Sequence, residues 1–78
     1  MTYQEVKNIA GKLGWVVNQD GGILHFCFHG HKEYSFAILA NSAVELISKV
    51  QLLAYNYADD RPFTEKLDEL TVLLAKEL

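Results

Sequence analysis

The sequence predicts an α+β fold: one domain over residues 1–78 in the order α-β-β-β-α-α, a three-stranded antiparallel meander with helices packed on one face. Three observations carry that expectation. Apolar and polar residues alternate through "ILHFCFHGHKEYSF" (Ile23–Phe36) and on to Leu39, the two-residue period of strands buried on one side. On either side of this stretch apolar residues recur at intervals of three and four, the period of an amphipathic helix. Thr2 with Glu5, and Ser42 with Glu45, have the spacing of a helix-opening capping box.

Each element follows from its own residues. "TYQEVKNIAGKLG" puts Tyr3, Val6, Ile9, Ala10 and Leu13 on one helical face, with Gly14 as a stop. "WVVN" is a short strand, and "QDGG" carries the Asp-Gly signal of a hairpin turn. In the next strand Leu24, Phe26 and Phe28 share one face, and Ile23, His25, Cys27 and His29 the other. Beyond a turn at Gly30, "KEYSFAIL" adds Tyr34, Phe36 and Ile38 to the aromatic face and Glu33, Ser35 and Ala37 to the mixed one. A one-residue slip would turn the aromatic face to water, so the register is well specified.

In "NSAVELISKVQLLAYNY" the buried stripe is Ala43, Leu46, Ile47, Val50, Leu53, Ala54 and Tyr57. Pro62 disfavours helix at Arg61 but suits a first helical turn. "FTEKLDELTVLLAKEL" then aligns Phe63, Leu67, Leu70, Leu74 and Leu78. Val44, Leu52, Val72 and Leu73 lie outside or at the edge of these stripes. Ordinary scattered exposure accounts for them, or a second copy or another partner covers them.

Half of the residues are apolar and nine are aromatic, enough for a core without disulfides. Cys27 is the lone cysteine, and no signal-peptide pattern opens the chain, so the expected compartment is a reducing cytoplasm. No apolar run approaches the roughly 18 residues of a membrane span. The net charge of −3 is uneven. Residues 1–58 balance four basic against four acidic side chains. Residues 59–78 set Asp59, Asp60, Glu65, Asp68, Glu69 and Glu77 against Arg61, Lys66 and Lys76. Such a balance argues against phosphate-neutralising nucleic-acid binding, which needs clustered cations.

His25, Cys27, His29 and His31 combine the ligand types zinc prefers. On a strand, however, residues two apart are separated by roughly 6.5–7 Å and stand parallel. The facing positions Glu33, Ser35 and Ala37 offer at most one more ligand. The expectation is therefore no metal and no cofactor, with a metal- or redox-responsive protein using these four residues as the alternative. The same geometry denies Cys27 a neighbouring base, so catalysis is not expected. Asp59–Asp60 and Asp68–Glu69 are consecutive pairs whose carboxyls diverge, and no Gly-rich phosphate loop is present. The order α-β-β-β-α is also that of double-stranded RNA-binding domains. Their second helix opens with basic residues, whereas "NSAVELISK" has one lysine two turns in.

Tyr55, Tyr57, Asp59, Asp60 and Arg61 cluster in sequence at the last inter-helix corner, and tyrosine and arginine are common binding anchors. The pattern "IAGKLGWVV…GGILHFCF…KEYSFAI…NSAVELI" resembles small proteins of phages and mobile elements of gut-type bacteria. Its α-β-β-β-α-α order with an acidic end is also similar to that of certain anti-CRISPR inhibitors. That resemblance implies an accessory or inhibitor protein acting on a macromolecular partner, and it transfers no site residue. The expected function is thus a non-enzymatic protein-interaction module, itself a candidate homo-oligomer. Tyr55, Asp59, Asp60, Glu65 and Asp68 are its candidate contact residues.

Overall fold

Thr2 Oγ1 accepts the Glu5 N–H (3.2 Å), and Glu5 Oε1 accepts the Thr2 N–H in return (2.8 Å). This reciprocal cap opens α1 (Tyr3–Gly11) in the computed structural model, which describes residues 1–78. The chain continues through β1 (Trp15–Asp20), β2 (Ile23–Phe28), β3 (His31–Leu39), α2 (Ala43–Asn56) and α3 (Arg61–Glu77), the order read from the sequence. The Thr2 backbone N–H, then its side chain, holds the Glu5 carboxyl below its ordinary pKa. A depressed carboxylate stabilises the fold above its unfolded pKa of about 4.3 and loses that contribution as pH falls through the folded value. Thr2→Ala removes the acceptor of the Glu5 N–H and is expected to cost about 1 kcal/mol. Glu5→Gln removes the carboxylate, so its deficit relative to wild type should shrink in acid, and thermal melts at neutral and acid pH read it. A gap that widened in acid would contradict the cap.

The second capping box forms by half. Ser42 Oγ accepts the Glu45 N–H (3.2 Å), but the Glu45 carboxylate turns to Lys49 one helical turn ahead (3.2 Å). An i,i+4 Glu–Lys pair competes with the backward reach that a capping box needs.

The sheet is a meander, β1-β2-β3, antiparallel throughout. β1 runs two residues beyond "WVVN", since Gln19 pairs with Leu24 and Asp20 with Ile23. That leaves Gly21–Gly22 as the loop, with Gly21 at φ +63°, where a side chain is disfavoured. Phe26 pairs with Phe36 and Leu24 with Ile38, which fixes the aromatic face as predicted. Between Cys27 and Phe28 the partner register jumps from Ser35 to His31, so Lys32–Tyr34 form a bulge in β3.

Helices cover the aromatic face. α1 lies along β1, where the Tyr3 hydroxyl donates to the Val17 carbonyl (2.8 Å). α2 lies along β3, and α3 packs on both other helices. Val6, Trp15, Val17, Phe26, Leu46, Val50, Leu67, Leu70 and Leu74 are at most 2 % exposed. Phe63 opens α3 against the sheet, stacked on Tyr34 with ring centroids 5.6 Å apart. Lys66 lies over Phe28 and Tyr34, 4.9 and 5.3 Å from their ring centroids, closing that end of the sheet.

Two side chains depart from the expected stripes. Tyr57 falls past the end of α2 and is half exposed, its ring edge-on to Phe63 (5.2 Å). Thr71 is buried within α3, which its hydroxyl tolerates by donating to the Leu67 carbonyl (2.9 Å). The buried Trp15 Nε1–H meets no oxygen or nitrogen acceptor, although Phe26, Phe28 and Phe36 stand at 75–82° to the indole.

Candidate functional site

Strand alternation puts His25 and Cys27 on the open sheet face, opposite the helices. The cross-strand neighbours of His25 are Asn18 and Ala37; those of Cys27 are Val16 and Ser35. Neither neighbour of the thiol is a base, and the sole hydrogen-bond acceptor near Sγ is the Phe28 carbonyl at 3.8 Å. His29 lies in the β2–β3 turn, where its N–H donates to the Gly14 carbonyl (2.8 Å). His31 lies across that turn, its Nδ1 3.1 Å from Glu33 Oε1. The Glu33 N–H, then the His31 side chain, holds that carboxyl below its ordinary pKa. The bulge aligns His31 with Phe28 and Tyr34 instead of with His25 and Cys27. No three His, Cys, Asp or Glu side chains are placed to share a metal ion. Around His25 and Cys27 the surface dips into a shallow hollow floored by Phe26 and Phe36 backbone and edged by Asn18, Ser35 and Ala37.

The five candidate contact residues lie along the solvent side of the last two helices, with different roles. Tyr55 on α2 is 80 % exposed. Asp59 is exposed in the corner. Asp60 is the N-cap of α3, its carboxylate accepting the Phe63 N–H (3.4 Å), with Pro62 in the first turn beside it. Glu65 is exposed and 3.9 Å from Arg61. Asp68 faces water one turn further on.

Asp68 also borders a feature that the charge pattern does not disclose. α3 and the segment after α1 leave a groove of about 450 Å³ lined by Leu13, Asp68, Glu69, Val72, Leu73 and Lys76. Val72 is 68 % exposed, and Leu13 and Leu73 are half-buried. Val72 and Leu73 stand off the helical stripe in the sequence. Leu13 reads there as a core position, but its helix ends at Gly11 and the following turn brings it against α3. Lys12 pairs with Glu77 (2.6 Å), tying the segment after α1 to the end of α3. No helix is long and apolar enough to cross a membrane. Comparison with protein-family models, with curated proteins and with solved structures yields no match.

Proposed function

We propose that this chain is a non-enzymatic protein-interaction module, an accessory or inhibitor protein that binds a basic, apolar-studded segment of a partner along α3. The observation that carries the reading is the groove: an apolar floor of Leu13, Val72 and Leu73 with the carboxylates of Asp68 and Glu69 on its rim and Lys76 at its far end. Apolar area supplies affinity and the flanking charge supplies orientation and encounter rate. Glu65 and Asp59 extend the negative potential toward the α2–α3 corner, where Tyr55 offers a wide exposed ring. Asp60 is assigned to the helix cap, not to the partner.

Tagged wild-type protein and a Asp68→Lys/Glu69→Lys variant are to be compared in pull-downs from native lysate. Both positions are exposed, so thermal stability should stay within about 0.5 kcal/mol of wild type. Proteins retained by the wild type should be lost from the charge-reversed variant, and should elute from the wild type at raised salt. Identical retained sets for the two would remove α3 as the binding surface.

A further inference from the structure

The two edges of the sheet are finished differently. The Ala40 N–H donates to the Gly22 carbonyl (3.4 Å), which sets the phase of the β2–β3 ladder. Even-numbered residues of β3 from Phe36 onward therefore face β2, and Ser35, Ala37 and Leu39 direct their N–H and C=O groups outward. On β1 the corresponding outward carbonyl of Val17 is closed by the Tyr3 hydroxyl, with α1 alongside. On β3 the Leu39 carbonyl accepts from Lys49 Nζ, but the outward groups of Ser35 and Ala37 have no partner. Beside them Ala37, Ile38 and Leu39 of β3 and Lys49, Leu52, Leu53 and Asn56 of α2 form an open groove. Leu39 is 55 % and Leu52 59 % exposed.

We propose that this edge pairs with its own copy: two chains join antiparallel through β3 about a two-fold axis at Phe36, making a continuous six-stranded sheet. An unpaired strand edge is a template for another strand, and an isologous contact requires a self-complementary surface. β3 meets that requirement in three ways. With Ser35 opposite Ala37 of the second copy, the N–H and C=O of both residues on one edge meet their complements on the other, making four main-chain hydrogen bonds. The Leu39 carbonyl, already taken by Lys49, and the bulge at Lys32–Tyr34 bound the free stretch and so select this register. The same register lays the bulge beside the Leu39 end of the second strand. There Glu33, exposed and paired with His31 in its own chain, comes beside Lys49 of the second copy, which holds Glu45 and the Leu39 carbonyl of its own chain, twice by symmetry. The Leu52 side chains, each at the edge of its own β3, approach across the axis and lose water. The contact leaves the α3 groove free, so it is independent of the function proposed above.

Light scattering across a wide concentration range tests the pairing. The wild type should move from 8.8 kDa toward twice that mass. Ala37→Pro removes an N–H that the monomer leaves unpaired, and proline is tolerated at such an edge position. That variant should keep its circular dichroism and remain at 8.8 kDa. Glu33→Lys, which leaves Lys49 on the Leu39 carbonyl, should weaken association on the order of tenfold. In wild-type protein the Ser35 and Ala37 amides should exchange slowly when concentrated and fast when dilute. A wild type that stays at 8.8 kDa throughout overturns the proposal. So does a dimer in which these two amides exchange equally fast at both concentrations.

Discussion

Phe26→Ala is expected to remove about 3–5 kcal/mol of stability, the usual range for truncating a buried phenyl ring. A domain of this length holds about 4–12 kcal/mol in total, so the variant should be largely or wholly unfolded near 37 °C. The size of the effect follows from where alternation places the ring. Phe26 occupies the central strand and is 1 % exposed. It stacks on Phe36 with centroids 4.7 Å apart and planes within 7°, while Trp15 stands edge-on at 6.3 Å. Removing it leaves a cavity between two strands and the helical layer that neither neighbour can fill by a rotamer change. Val16→Ala is the matched control, because Val16 lies on the open face and is 46 % exposed. That change should stay within about 0.5 kcal/mol. Urea unfolding distinguishes them: the midpoint should fall steeply for Phe26→Ala at an unchanged slope. Equal midpoints for the two variants would mean that the buried face is assigned to the wrong side of the sheet.

The assignment of that face was legible because it rests on local periodicity. Leu24, Phe26, Tyr34, Phe36 and Ile38 announce one side of a pleat whatever the rest of the chain does. Caps are legible for the same reason: Thr2 and Ser42 each act on a backbone N–H three residues ahead. What depends on two segments meeting was not. Nothing in "HKEYSF" marks where β3 bulges, since one strand sets the bulge against its partner. Glu45 has two satisfactory partners, the Ser42 N–H and Lys49, and sequence spacing does not choose between them. Residue type alone groups Asp60, committed to its helix, with Asp68, which borders the groove. Leu13 belongs to that groove only because the turn after α1 brings it against α3. Charge pattern marked α3 as acidic; packing decided which of its residues lie beside an apolar floor.

That turn depends on Gly14, where the second large effect is expected. Gly14 has φ +95°, a region that an L side chain enters only under strain of about 1–3 kcal/mol. Space adds to the penalty. A Cβ at this position would lie 3.3 Å from two atoms of the Phe28 ring. That ring is held from its other contacts by Trp15, 5.1 Å away, and by Lys66, 4.9 Å away. The Gly14 carbonyl also anchors the β2–β3 turn through the His29 N–H, so displacing the backbone disturbs two connections at once. Gly11, three residues earlier, makes the opposite prediction. It ends α1 in ordinary helical conformation, and a Cβ there meets nothing within 4 Å. Gly11→Ala should therefore stabilise by about 0.5–1 kcal/mol through helix propensity and a less flexible unfolded chain. Gly14→Ala should destabilise by at least the strain term, opening a gap of about 1.5–4 kcal/mol between two chemically identical substitutions. At about 4–8 °C per kcal/mol for a domain of this size, thermal melts separate them easily. Should both alanines shift the melting temperature in the same direction, the left-handed turn that delivers Trp15 into the core and Leu13 to the groove would have to be redrawn.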